Sequence, residues 1–279
     1  MSAMLRFGPA GMPLNCKGKK LADGILYAFN ERLGAFEVEF VRGVRIRKED
    51  AIEAGKTAKE KNVLLSCHGP YWVNCCSPLK EKQQTTMRNI MQTARAAELL
   101  GAKIIVFHPG YYQKQSKEAA FENALNLLKE IEKKMKDEKL SCFLGLETSG
   151  KKAGFGTLDE IIGLCKKIKK ARPVIDFAHL HAITNGGIRT KGDYEEIISR
   201  IKKELGPEYL KEMHCHFTEI VYSDRGERYH IPIGHSNSPP FRPLAEILAE
   251  KKYKFTIISE SPLLDMDALK MQGLVQKLR

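Results

Sequence analysis

Eight short runs rich in β-branched and aromatic residues alternate with longer stretches of helical period, and this alternation constrains the fold more than any other feature. The runs are Met4–Phe7, Ala35–Phe40, Val63–Cys67, Lys103–Phe107, Ser141–Glu147, Arg172–Asp176, Lys211–Phe217 and Lys254–Ser259. Each has strand length, and most of the intervals are long enough to hold a crossover helix. Phe121, Ala124, Leu125, Leu128, Ile131 and Met135 share one helical face, as do Met87, Ile90, Met91, Ala94 and Ala97 before a stop at Gly101. Ser77-Pro78, Thr157 with Glu160, and Asp193 with Glu196 are expected helix starts. Eight such units in 279 residues predict a single (β/α)8 TIM barrel domain over 1–279, with a parallel sheet. An open doubly wound sheet would carry a Gly-rich phosphate loop after its first strand, and Gly8-Pro-Ala-Gly11 lacks that pattern.

Composition narrows the setting. The seven cysteines are odd in number, show no CxxC spacing and fall partly inside apolar runs, which fits a reducing cytosol. No run approaches the roughly 18 apolar residues of a membrane span, so a cytoplasmic protein without a membrane partner is expected. Net charge is +12, from 46 basic and 34 acidic side chains. That excess suits either a lysine-rich solvated surface or a field that attracts a polyanion.

In barrels of this kind the chemistry sits where the strands end. The central run Pro173-Val-Ile-Asp-Phe-Ala-His179 passes from an apolar strand into Asp176 and then His179. The other strand ends repeat the arrangement with His68, His108, Glu147, His216 and Glu260, and His230 lies in the loop after strand seven. All eight histidines (68, 108, 179, 181, 214, 216, 230 and 235) fall at or just past an expected strand end. Imidazole with carboxylate is the ligand set of zinc, manganese or iron, and a carboxylate can bridge two ions. A site of at least two metals is therefore expected. His181 is expected to point elsewhere, while His214 and His216 share a strand face and both could approach the mouth. Glu37 and Glu39 could point into the barrel, or pair with lysines. Cys67 and Cys215 alternate with the histidines, so they should face away.

These motifs resemble the endonuclease IV family of apurinic/apyrimidinic endonucleases, within the xylose-isomerase-like TIM barrels. The resemblance is carried by Ser66-Cys-His-Gly-Pro-Tyr-Trp-Val-Asn74, Val106-Phe-His-Pro-Gly110, Glu147-Thr148, Ile175-Asp-Phe-Ala-His179, His216-Phe-Thr-Glu219 and Ser259-Glu-Ser261. It implies a trinuclear zinc site, with manganese or iron as possible substitutes. His68 and His108 would hold one ion, and Glu147, the central catalytic carboxylate, would bridge to a second completed by Asp176, His216 and Glu260. His179 and His230 would belong to a third. Tyr71 and Trp72 stand where the family inserts side chains into DNA at a lesion. Two departures stand out. Glu227-Arg-Tyr-His230 replaces Asp-x-His, with Arg228 at the carboxylate's expected place, and Tyr111-Tyr112 replaces Ser-His. His214 or His235 is then a candidate substitute ligand.

The resemblance implies a monomeric hydrolase that cuts double-stranded DNA 5′ to abasic sites during base excision repair. Arg189, Lys191, Arg225, Arg228, Lys114 and Lys117 are candidate phosphate contacts. Two rivals remain: a divalent-metal sugar isomerase or epimerase on the same barrel, and a lesion-binding protein without catalysis. The number of histidines favours the nuclease, because a single metal does not require so many.

Overall fold

The computed structural model describes residues 4–279, so residues 1–3 of the expected 1–279 unit lie outside the described residues. Eight parallel strands form one sheet: β1 (Arg6–Pro9), β2 (Ala35–Glu39), β3 (Leu64–His68), β4 (Ile104–Phe107), β5 (Phe143–Glu147), β6 (Ala171–Asp176), β7 (His214–Phe217) and β8 (Thr256–Ser259). They pair in sequence order from β2 to β8, and β8 pairs with β1. The remaining seam is closed by an Ala10–Glu37 bridge and by Gly11 N donating to Glu37 O at 2.9 Å. Backbones approach closely there, since a Cβ on Gly8 would lie 2.1 Å from Ala35 O. All eight expected strands are present, and the fold is the (β/α)8 barrel.

Helices α1 (Leu21–Asn30), α2 (Lys48–Glu60), α3 (Lys80–Leu100), α4 (Lys117–Asp137), α5 (Leu158–Lys167), α6 (Phe177–Ile183), α7 (Lys191–Leu205), α8 (Phe241–Lys251) and α9 (Leu264–Lys277) cross between the strands or close the chain. Gly101 ends α3 in the left-handed region at φ 67°, and Thr157 with Glu160 caps α5 reciprocally, both as the sequence suggests. Two starts differ. Helix α3 begins at Lys80, because Ser77 Oγ accepts from Leu79 N and ties up a preceding turn. Helix α7 is capped by Thr190 with Asp193 at its third position, so Asp193 closes the box instead of opening it.

The strands sort their side chains by parity. Phe36, Leu65, Cys67, Ile105, Cys215 and Phe217 point outward and join the large core beneath the helices. Burying each large apolar side chain there stabilises the fold by about 1.5–3 kcal/mol. Cys67 and Cys215 thus do face away from the histidines. Inside the barrel, Ile104, Val106 and Val174 form a small apolar cluster of their own. Above and beside them lie buried Glu37, Ser66, His214, Glu147, Asp176 and His216.

Two small antiparallel ladders shape the mouth. Gly110–Tyr111 pairs with Gly154–Phe155, joining the loops after β4 and β5. Glu219–Ser223 pairs with Gly226–Ile231 in the long loop after β7. Among the described residues no helix is long and apolar enough to cross a membrane.

Candidate functional site

Each loop at the C-terminal end of the barrel is fastened before it presents a side chain. Asn74 Oδ1 accepts from Cys76 N at 3.1 Å and Tyr111 N at 3.2 Å, while Cys75 N donates to Pro109 O. The two motif-bearing loops after β3 and β4 are thereby sewn together, which fixes His68 beside His108. Their rings lie 6.1 Å apart between centroids.

Three histidines are oriented the same way. His68 Nδ1 donates to Gly69 O at 2.9 Å, His179 Nδ1 to Thr148 O at 3.0 Å, and His230 Nδ1 to Glu260 O at 3.1 Å. A carbonyl only accepts, so Nδ1 carries the proton and Nε2 is the atom left for the mouth. This backbone tether is the usual outer partner of a metal-ligating histidine.

Glu147, fully buried at the end of β5, is the centre. Its Oε2 lies 3.2 Å from His68 Nε2 and 3.4 Å from His108 Nε2. Its Oε1 lies 3.1 Å from His216 Nδ1 and 3.5 Å from His179 Nδ1. His216 Nδ1 is also 3.0 Å from Glu260 Oε1, and Asp176 Oδ2 is 3.4 Å from His179 Nδ1. Three sets of ligand atoms, each mutually within 4.8 Å, follow from this: His68, His108 and Glu147; Glu147, Asp176, His216 and Glu260; and His179, His230 and Glu260. All eight residues singled out in the sequence as metal ligands meet at one mouth.

The displaced carboxylate is resolved by a β-bulge. Val221 pairs with Tyr229 but Tyr222 pairs with Glu227, leaving Arg228 as an extra residue. On a regular strand residues three apart face opposite sides; one extra residue brings Glu227 and His230 to the same side. Glu227 Oε2 lies 3.5 Å from His179 Nε2, and Oε1 lies 3.8 Å from His230 Nε2. Gly226 makes this possible: a Cβ there would lie 2.2 Å from Gly150 O, and Glu227 N donates to that carbonyl at 2.7 Å.

Several expectations need correction. His214 sits at the start of β7, one layer below the mouth, with its Nε2 3.0 Å from Glu37 Oε2. Sharing a face with His216 does not give it the same height. His235 is exposed and joins none of the ligand sets. Neither therefore lies at the place of the displaced carboxylate, where Glu227 stands beside His179 and His230. His179 and His181 belong to the short α6 and not to a strand end or loop, and His181 is held by Ile188 O and Ser238 Oγ. Lys191 is engaged with Glu250 at 2.6 Å and Arg189 Nε with Gly186 O at 2.6 Å. Glu37 is paired with histidines and Ser66 rather than with lysine.

The mouth opens into a cavity of about 430 Å³ whose walls include Glu39, His68, Tyr71, His108, Tyr111, Lys151, His179, Glu227 and Glu260. Tyr71 is 65% exposed and Trp72 53%, so neither is a core aromatic. Arg228 is exposed on the bulge. Sequence reasoning missed Glu227, Lys151 and the mouth position of Glu39. Only the strand parity of Glu39 hinted at the last.

Burial and neighbouring charge pull the titrating groups of the mouth in opposite directions. Burial opposes charge on His68 and His179, yet neighbouring carboxylates, Glu147 for the first and Asp176 for the second, raise their pKa to about 10 and about 9. Burial lowers His108 to about 4 and raises Asp176 to about 6 and Glu39 to about 8. Asp176 Oδ2, His108 Nδ1, His230 Nε2 and Glu39 Oε1 are buried with no hydrogen-bond partner. Buried acceptors and ring nitrogens left without partners around one mouth fit a cation site.

Comparison with known proteins agrees with the geometry. A family model described as a xylose isomerase-like TIM barrel matches residues 31–272. An uncharacterized protein of Methanocaldococcus jannaschii is 35% identical over 268 residues, 95% of each chain. A probable endonuclease 4 of Mycoplasma mobile is 29% identical over 206 residues, 72% of this chain and 69% of its own. Among solved structures, endonuclease IV from Thermus thermophilus superposes with a TM-score of 0.72 at 17% identity, covering 96% of this chain and 99% of its own. A D-tagatose 3-epimerase-like protein gives 0.70 at 20% identity, covering 93% of both chains. At such identities the superpositions speak for the fold alone.

Proposed function

The chain belongs to the xylose isomerase-like TIM barrel family, and from that premise we propose that it is a metal-dependent phosphodiesterase acting on double-stranded DNA at abasic sites. One observation carries the reading: three His/carboxylate groups meet at Glu147 and Glu260 in one mouth. A single-metal sugar enzyme has no need of the third.

His68, His108 and Glu147 would hold one cation; Glu147, Asp176, His216 and Glu260 a second; His179, His230 and Glu227 a third. Zinc suits this mixture of imidazole and carboxylate, with manganese or iron also compatible. Bound there, such ions supply Lewis-acid charge for a phosphodiester and acidify water near neutral pH. The chain's own residues do the rest. The backbone carbonyls of Gly69, Thr148 and Glu260 hold three rings in the required tautomer. Tyr71 and Trp72 offer planar faces to bases next to a lesion, where stacking contributes about 1–3 kcal/mol per base. An abasic nucleotide has no base to unpair or unstack, so it enters the cavity more readily than an intact one. Lys151 on the cavity wall and the exposed Arg228 would supply sequence-independent attraction for phosphates.

The second reading, a sugar isomerase or epimerase, is favoured by the cavity of about 430 Å³ and by Glu39, a carboxylic acid kept protonated by burial. Such a group can move a proton beside a carbonyl. Incubation with a duplex carrying one abasic site separates the readings. Nicking 5′ to the lesion, lost on chelation and restored by zinc, is expected. No nicking together with turnover of a ketose would transfer the assignment to the second reading.

A further inference from the structure

We propose that Glu37, His214 and His216 form an inner zinc site, one layer below the mouth and sharing only His216 with its three ligand groups. The ligand atoms are mutually within 4.8 Å: Glu37 Oε2 lies 3.0 Å from His214 Nε2, and Glu37 Oε1 lies 2.8 Å from His216 Nε2. All three side chains are buried, with exposures of 0%, 5% and 0%.

The alignment of these atoms matters as much as their spacing. Glu37 Oε1 and His216 Nε2 are fully buried, and neither makes a hydrogen bond despite their separation. Two atoms that are close but not aimed at each other are placed as ligands of a common ion would be. Atoms each about 2.1 Å from one zinc lie roughly 3.0–3.4 Å apart at ordinary coordination angles, so the 3.0 Å pair fits as it stands and the 2.8 Å pair would open by a few tenths of an ångström. Ser66 Oγ donates to Glu37 Oε2 at 2.6 Å and holds the carboxylate in place. A buried, partly unpaired His–Glu–His cluster would otherwise be a costly thing to keep inside a barrel.

His216 then carries two roles. Its Nδ1 faces Glu147 and Glu260 in the mouth, and its Nε2 faces Glu37 below. Coordination through both nitrogens makes the ring an imidazolate bridge. The ring gives up its remaining N–H proton to solvent when the second ion binds. At the opposite end of the barrel, His214 lines a cavity of about 700 Å³. His214 Nδ1 has no hydrogen-bond partner among the described residues, so that edge of the ring is not otherwise committed.

This site stands apart from the nuclease reading, and the test keeps the two separate. Crystals of the full chain grown with zinc would be measured on both sides of the zinc absorption edge. The expected result is anomalous density between Glu37, His214 and His216, in addition to any density at the mouth. Bound zinc per chain, measured on the same protein in solution, should fall by one equivalent in His214→Phe and in Glu37→Gln. Anomalous density confined to the mouth would overturn the proposal and leave Glu37 a positioning residue for His216, as would zinc content unchanged in a folded His214→Phe variant. Density at the inner site with an empty mouth would uphold it while removing the metal basis of the proposed function.

Discussion

The two ends of this barrel are built from the same eight strands, yet they differ in what they bury. The end where the strands begin holds the larger cavity, about 700 Å³, walled by Ile104, Phe143, Pro173, Met213 and a fringe of lysines. The end where they finish holds about 430 Å³, walled by histidines and carboxylates. Volume alone would favour the end where the strands begin. Charge placement decides it, because burying ionisable groups without partners is unfavourable and persists where it serves a ligand. Arg172 shows the contrast from the other side: its guanidinium stacks 3.9 Å from the centroid of Phe143 and is satisfied by Lys169 O and Ala171 O. At the mouth, by comparison, Asp176 Oδ2 and His230 Nε2 have no partner.

Substitution at each end would break this contrast or sharpen it. The largest effect is expected for Glu147→Gln, which should lower nicking of an abasic duplex by roughly 10³-fold, the scale of several kcal/mol of lost charge stabilisation. Lys254→Ala, at the opposite end, should leave the rate within about twofold, as surface substitutions usually do. Equal losses in the two variants would dissolve the distinction between the ends.

Next comes the bulge. Glu227→Ala should weaken binding of one zinc by about 10–100-fold, measured by chelator competition, as loss of a partner in a metal site typically does. Deleting Arg228 should do far less, because a regular hairpin would then place Glu227 and the histidine two apart on one face. If the deletion is as damaging as Glu227→Ala, the bulge account is wrong. Replacing Tyr71 and Trp72 by alanine together should weaken binding to an abasic duplex by about 1–3 kcal/mol for each stacked base, read from equilibrium titration at fixed salt.

The smallest expected effect is on stability. His68 and His179 hold their protons more tightly folded, at about 10 and about 9 against 6.5, and Glu39 does so at about 8 against 4.5. Each contribution is complete below the unfolded value and disappears as pH rises through the folded one. His108, lowered to about 4, acts in the opposite sense, and its contribution is complete above pH 6.5. Metal-free protein should therefore lose stability, read as a falling Tm, as pH rises from 6.5 to 10. A flat Tm across that range in chelated protein would show that the fold does not hold these protons more tightly.

Much of the site was legible because strand ends converge by topology. Once eight strand–helix units are recognised, His68, His108, Glu147, Asp176 and Glu260 must come to one rim, whatever their separation in the chain. Parity was legible as well: Cys67 and Cys215 alternate with histidines and point into the outer core. Height along a strand was not. His214 and His216 look equivalent in sequence, but the register with Val174 and Asp176 sets one of them a layer deeper. The partner of Thr190 in its cap, and the one-residue bulge at Arg228, also lay beyond local patterns.

The sequence by itself determined the alternation, and hence the barrel, the inward and outward faces, and the residues that end each strand. These follow from periods of two and 3.6 residues, which are local properties. The tertiary structure alone decided which inward groups share a layer, how Gly226 lets a hairpin press against Gly150, and how one extra residue turns Glu227 toward His179. Those outcomes depend on register and on close contact between segments far apart in the chain, for which no local pattern carries information.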